Sequence, residues 1–257
     1  MDVTKLPEIV EHFSSRSNVY DIFGTWVNND TILSSIIACI PASPEKLLDI
    51  VDLGAGTGAV SKYIFKEYPF GKSITSVDIC EDMLSRILES EIKKCVTSIE
   101  TMPFANDTFD VAVSRQCLHY VDQLGQAISE IKRIVKKNGM FILSQIVPFE
   151  SQMKDYWSEI IKFRQPLRKH YFSEADWINI LTYEGFNLLS IERFSHRGSV
   201  LKWANKYNIT NLTMINEHKR LLLKAPKQFI EEYNVIQNGE DVNYNSFWFV
   251  AKFCIDR

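Results

Sequence analysis

The sequence lacks most of the features that let composition alone assign a class. Its 257 residues hold 5 cysteines, none of them in a CxxC pair or a zinc-knuckle spacing, so neither a disulfide framework nor a structural zinc site organises the chain. Cys39, Cys80, Cys95, Cys117 and Cys254 read as reduced core thiols. With 10 glycines and 8 prolines, no repeats and no low-complexity linker, collagen-like and disordered chains are excluded. No apolar run approaches the ~20 residues of a membrane helix. The stretch MDVTKLPEIVEHF carries acids and a proline and lacks the apolar centre of a signal peptide. Charge is nearly balanced, 29 Lys+Arg against 32 Asp+Glu for a net −3, which removes the basic footprint of a sequence-independent nucleic-acid or membrane binder. What is present is an ordinary globular composition, 46% hydrophobic and 12% aromatic, long enough to bury a large core unaided. The expectation is a cytoplasmic monomer or homodimer acting on a small molecule, with no nucleic-acid or membrane partner.

Between residues 47 and 147, apolar runs of strand length alternate with helix-like stretches, the pattern of a parallel sheet covered on both faces. Strands are predicted at 47–53, 73–79, 94–99, 109–114 and 140–147, each apolar throughout rather than alternating. Helices are predicted at 59–68, 81–92 and 123–137, the last stopped by Asn138 and Gly139. SEADWINILTYEGF opens with a variant capping box, Ser173 with Asp176, and closes at Gly185. A sixth strand at 186–194 and a last one at 247–255 flank two or three helices inserted over about 198–241. The fold class is therefore α/β, a doubly wound, mostly parallel sheet. One domain is expected: a helical N-terminal cap at 1–46, a core at 47–147, and pocket-forming helices and final strands at 148–257.

VDLGAGTGAV is the most informative segment, because a hydrophobic strand ends in Gly54, Gly56 and Gly58 immediately before a helix. Small residues there let a ligand approach the backbone N–H groups at the switch point of an open sheet. Asp78 ends the next strand, placed to accept both hydroxyls of a ribose. The glycine spacing is GxGxG rather than GxGxxG, and Asp52 precedes it. An acid repels a pyrophosphate but attracts a cation. S-adenosylmethionine, with its ammonium and sulfonium, fits this turn better than a pyridine dinucleotide.

Several ordered motifs then resemble the class I S-adenosylmethionine-dependent methyltransferases, within them the quinone-biosynthesis C-methyltransferases and malonyl-carrier-protein O-methyltransferases. They are VDLGAGTGAV, SVDICEDML, IETMPFANDTFDVAVSRQCLHYV and ISEIKRIVKKNGMFILSQ, and the likeness covers residues 12–147. The resemblance implies a seven-stranded sheet of order 3-2-1-4-5-7-6 with the last strand antiparallel. It also implies that Asp52, Gly54, Ala55 and Gly56 meet the methionyl part of the cofactor, Asp78 the ribose, and Ile79 and Met83 the adenine. Relatives carry an aspartate where this chain has Ser98, so a weaker polar contact from Ser98 and backbone recognition at Ile99 are expected; Ser114 completes the cofactor set. HFSSRSNVYD resembles the family's N-terminal segment, in which Tyr20 and Arg16 close over the cofactor, although Tyr20 reads equally as a packing aromatic.

Methyl transfer is an in-line displacement, so the protein mainly has to hold a nucleophile opposite the sulfonium and exclude water. No metal is expected: Ser114, Arg115 and Gln116 stand beyond the fourth strand, where metal-dependent relatives place acids. His119 is the candidate general base, with Gln116 and Tyr120 orienting the acceptor; its alternative is a hydrogen-bonded core residue. YWSEIIKFRQPLRKHYF follows the fifth strand and carries Arg164, Arg168 and His170, which with Arg115 suggest a carboxylate-bearing acceptor held by guanidinium forks. The competing reading is a solvated charged face. KWANKY, FIEEY and FWF have the aromatic content of a lid, a dimer interface or plain core. The expected function is methylation of a small organic acceptor, oxygen being preferred over carbon, sulfur or nitrogen because of His119 and the arginines. An NAD-dependent oxidoreductase and a non-catalytic cofactor-binding protein are the rival readings.

Overall fold

The computed structural model describes residues 6–23, 26–42, 45, 47–206, 209 and 211–256. The first five residues of the expected cap and Tyr207 of KWANKY lie outside them. Strands β1 (Leu48–Leu53), β2 (Gly71–Asp78), β3 (Ile92–Val96), β4 (Phe109–Arg115), β5 (Val135–Val147), β6 (Phe186–Ser199), β7 (Ile236–Asn238) and β8 (Asp241–Ile255) form one sheet. Its order is β3-β2-β1-β4-β5-β8-β6, with β7 paired to β8. The pairs among β1 to β5 are parallel, and β8 runs antiparallel to both β5 and β6. This is the expected order, with the short β7 making eight strands rather than seven.

The helices are α1 (Leu6–Ser14), α2 (Tyr20–Phe23), α3 (Asp30–Cys39), α4 (Ala59–Glu67), α5 (Glu81–Leu84), α6 (Leu124–Ile134), α7 (Lys154–Arg164), α8 (Glu174–Tyr183), α9 (Val200–Lys206), α10 (Leu212–Leu223) and α11 (Lys227–Glu232). Successive strand residues feed opposite layers: Ile50, Val111 and Val113 join the core formed with α3, α4, α7 and α9 to α11, whereas Val51 and Ala112 join the one formed with α6 and α8. Two buried faces explain why the central strands read as continuous apolar runs. The capping box is present: Ser173 Oγ accepts from Asp176 N, and the Asp176 carboxylate accepts from Ser173 N.

Two helices are shorter than predicted. α5 ends at Leu84, eight residues before the expected limit at 92. Beyond it Arg86 N and Ile87 N donate to carbonyls three residues back, while Lys62 Nζ and Lys94 Nζ take the carbonyls of Arg86 and Ile87. Tertiary donors thus replace the helical ladder. α6 stops at Ile134 because Asp107 N and Thr108 N bind the carbonyls of Arg133 and Ile134, and buried Val135 pairs with Phe109. Of the two or three helices predicted over 198–241 there are three, α9 to α11, inserted between β6 and β8. These two strands are longer than predicted, running together from Phe186 opposite Ile255 to Ser199 opposite Asn243.

Candidate active site

A cavity opens at the carboxyl ends of β1, β2 and β4, with about 1100 Å³ of unfilled space including its open mouth. Its floor is the glycine turn. Gly54 and Gly58 have φ of 72° and 83°, the left-handed region that disfavours side chains. A Cβ on Gly54 would stand 2.2 Å from Cys117 Sγ, and one on Gly58 2.5 Å from an Ile87 side-chain carbon. The turn is therefore locked between β4 and the segment after α5, and α4 starts from Gly58 with no side-chain cap over it.

The backbone N–H groups expected to face a cofactor are used inside the turn. Gly54 N and Ala55 N both donate to Val77 O, and Gly56 N donates to Asp78 Oδ2 at 2.8 Å. The turn offers close approach and carboxylates rather than free amides. Asp78 is held at its second oxygen by Cys80 N at 2.9 Å, and burial raises its pKa. Asp52 is 1% exposed and accepts from Ser61 N and Ser61 Oγ; burial pushes its pKa up to about 6, with Ser61 and the Arg115 charge pulling the other way. Glu100 and Asp122 bring the lining carboxylates to four, against the two cations Arg115 and Lys169, the latter paired with Asp122. Such a wall suits a cationic ligand.

Most of the residues assigned from sequence converge here. Tyr20, Asp52, Gly54, Ala55, Gly56, Asp78, Ile79, Met83, Ser98, Ile99, Arg115, Gln116 and Tyr120 all line the cavity. Ser98 Oγ is engaged with Glu100, at 3.2 Å from its Oε2. Arg115 donates to Val27 O at 2.8 Å and stacks on Trp26, with burial lowering its pKa. Phe13, Tyr20, Trp26 and Tyr120 form a roof of edge-to-face rings. Phe13 and Trp26 had no assigned role, although the spacing of Phe13, Tyr20 and Trp26, seven and six residues apart, is visible in the sequence.

Other assigned residues are placed elsewhere. His119 is fully buried, its Nδ1 2.8 Å from Gln145 Oε1; burial, then the Arg168 charge, lowers its pKa well below the ordinary value. It does not reach the cavity. Ser114 is buried within β4, and Arg16 contacts His12 outside the lining. Arg168 is 3% exposed and donates to the carbonyls of His170 and Ile146, while His170 Nε2 bonds Val121 O. Both act as braces of the 165–172 segment.

Arg164 lines a second cavity with Trp26, Gln116, Lys202, Tyr244 and Trp248. Trp26 and Gln116 wall both spaces, so the two adjoin. Gln116 holds φ 55° without being glycine, and its buried Nε2 has no partner. A non-glycine residue in the left-handed region costs about 1 kcal/mol and is retained where the surrounding structure enforces it. Among the described residues, no group of three or more His, Cys, Asp or Glu is placed to hold a metal ion, and no helix is long and apolar enough to cross a membrane.

Comparison with known proteins agrees with this geometry. Residues 51–143, from β1 into β5, match the family described as methyltransferase domain. The human mitochondrial arginine-hydroxylase NDUFAF5 is 38% identical over 94 residues, 36% of this chain and 27% of that protein. Malonyl-[acyl-carrier protein] O-methyltransferase of Erwinia pyrifoliae is 29% identical over 124 residues, 46% of this chain and 45% of that enzyme. The chain thus spans under half the length of either relative. The crystal structure of YcgJ from Bacillus subtilis shares the fold, with a TM-score of 0.76 at 16% identity, covering 88% of this chain and 98% of that one. The glycine turn, the acid at the end of β2 and the strand order fall within or around the segment, residues 51–143, that matches the methyltransferase-domain family.

Proposed function

We propose that the protein methylates an oxygen of a small organic acceptor without a metal, drawing the methyl group from S-adenosylmethionine. The observation that carries this reading is the shared wall of Trp26 and Gln116: an acceptor in the second cavity would face the cofactor cavity across that wall. When bound, the cofactor supplies a methyl carbon activated by its sulfonium. Asp52, Asp78 and Glu100 attract its positive charge and bind its polar groups, and Ile79, Met83 and Ile99 provide apolar surface for its base. The aromatic roof excludes water. Gln116, with an unpartnered amide N–H pair, holds an acceptor oxygen in line, and Tyr120 and Arg115 flank the same space.

His119 has no part in the transfer under this reading, because it lies outside the cavity. A site without an adjacent base suits an oxygen acidic enough to give up its proton to solvent, such as a carboxylic acid or a phenol. The relative that is a malonyl-[acyl-carrier protein] O-methyltransferase acts at oxygen by its name, which favours the same atom here. Residues 47–147 serve as the cofactor half, and residues 148–257, with Trp26, as the acceptor half.

The test has two stages. Calorimetry should register S-adenosylmethionine and S-adenosylhomocysteine but not NAD. Release of S-adenosylhomocysteine should then depend on an added carboxylate or phenol. Cofactor binding with no methyl transfer to any oxygen, carbon, sulfur or nitrogen acceptor would leave the non-catalytic reading standing; binding of NAD alone would favour the oxidoreductase.

A further inference from the structure

The second cavity differs from the first in what its walls can offer a ligand. No Asp or Glu is among its described lining residues, whereas Arg164, Lys202 and His196 all are. Among the described residues Arg164 makes no ion pair; its guanidinium lies 5.5 Å from the centre of the Tyr244 ring, and its buried Nε–H has no partner. The Gln116 amide nitrogen and the Trp248 indole N–H, two further donors on the same walls, are also buried without partners. Buried polar groups of a folded protein are paired in the great majority of cases, because an unpaired one costs ~1–3 kcal/mol. Three donors without partners around one space, one of them on the cation Arg164 and with Lys202 beside them, indicate that an acceptor-rich ligand completes them.

The walls also have a direction. Gln116 stands at the boundary with the cofactor cavity, at the end of β4, whereas Arg164 ends α7 and Lys202 lies on α9. Trp26 and Trp248, with ring centres 5.4 Å apart, line the same space. Flat apolar surface bounded by donors at both ends fits a flat molecule with an oxygen at each end.

We propose, building on the methyl-transfer reading, that the acceptor is a flat aromatic acid with two polar ends. Its carboxylate is gripped by Arg164 with support from Lys202, its ring lies against Trp26 and Trp248, and a second oxygen at Gln116 is the atom methylated. In this arrangement the carboxylate is the handle and not the nucleophile. Arg164 then determines specificity without touching the reacting atoms. The bond formed joins the methyl carbon to the second oxygen, the carbon–sulfur bond breaks with its electron pair passing to sulfur, and any proton on that oxygen leaves to solvent.

The experiment is calorimetry on the whole chain saturated with S-adenosylhomocysteine, using 4-hydroxybenzoate, 4-hydroxyphenylacetate and 3-(4-hydroxyphenyl)propionate, each beside its uncharged amide. At least one acid should bind at least about tenfold more tightly than its amide, the ratio a 1.4 kcal/mol difference gives. Arg164→Gln should abolish that preference while S-adenosylhomocysteine affinity stays within about twofold, which also reports that the variant is folded; Arg164→Lys should restore part of it. Acids that bind no better than amides, no binding of any acid to the S-adenosylhomocysteine complex, or an acid preference surviving in Arg164→Gln would each overturn the proposal. Failure of S-adenosylhomocysteine itself to bind would instead overturn the cofactor reading beneath it.

Discussion

Two adjoining cavities share a wall and carry opposite chemistry. The first is walled by Asp52, Asp78, Glu100 and Asp122 against Arg115 and Lys169, the second by Arg164 and Lys202 with no acid among its described lining residues. In the first, apart from Gln116 on the shared wall, the polar groups are largely satisfied, with the turn amides bound to Val77 and Asp78 and the Asp52 carboxylate to Ser61. In the second they are not. Under the proposed function the acid-lined space is the cradle for the cationic cofactor, built on the locked turn between β1 and α4. The donor-lined space is incomplete until something anionic enters it. Under that reading, separating the two charge environments keeps each ligand out of the other's place.

This contrast can be broken at several points. The largest effect is expected from Gly54→Val, which drives a branched side chain into Cys117 at a left-handed φ. Strain and overpacking together should cost ~3 kcal/mol or more, and calorimetry should detect no cofactor binding. Next comes Asp52→Asn, expected to weaken S-adenosylmethionine about tenfold to a hundredfold, the size of one charge-assisted contact. Because the pKa of Asp52 is raised to about 6, wild-type affinity should climb as pH rises through that value and then level off. The variant should show no such climb; a climb that persists would detach Asp52 from the cation.

Gln116→Gly sharpens the comparison at the shared wall. It should leave cofactor affinity within about twofold, lower turnover about tenfold by removing the amide, and raise stability by ~0.5–1 kcal/mol by relieving the positive φ. The smallest effect on chemistry is expected from His119→Gln, which should change turnover per folded molecule less than about twofold, well under one catalytic contact. Its consequence is in stability. A histidine whose folded pKa is depressed contributes stability that is complete above the unfolded value of 6.5 and is lost as pH falls below it. Thermal melts of the wild type should therefore lose about 1.4 kcal/mol per pH unit below 6.5 for each buried neutral histidine, His119 and His218. His119→Gln should remove one share of that slope. Asp52 acts in the opposite sense below about pH 6, where its raised pKa makes protonation favour the folded state.

The two halves also differ in how far the sequence disclosed them. The sheet was legible because its inner strands are covered on both faces and so carry unbroken apolar runs, and the cofactor cradle because its turn and acids are local in sequence. The predicted helix at 81–92 failed for a non-local reason, since Lys62 and Lys94 cap carbonyls that a helix would have used internally. His119 read as reactive from its place after β4, yet the short 3-10 turn Leu118–Tyr120 directs it into the interior and Tyr120 into the cavity. Of the arginines in the segment after β5, spacing could not say which face each takes: Arg168 is consumed by backbone carbonyls and Arg164 is not. The second cavity draws on residues 26, 116, 164, 202, 244 and 248, six positions from five separate parts of the chain, and no window of sequence contains it.

The long pairing of β6 with β8 carries a last consequence. Helices α9 to α11 leave and re-enter the fold at the far ends of these two strands, whose register holds the exit and return points side by side. Lengthening such a tethered excursion costs little, since closure entropy grows only with the logarithm of length. The inserted helices can therefore be rewritten as a replaceable graft which, under the proposed function, would retune the molecule accepted while the rest of the sheet stays unedited.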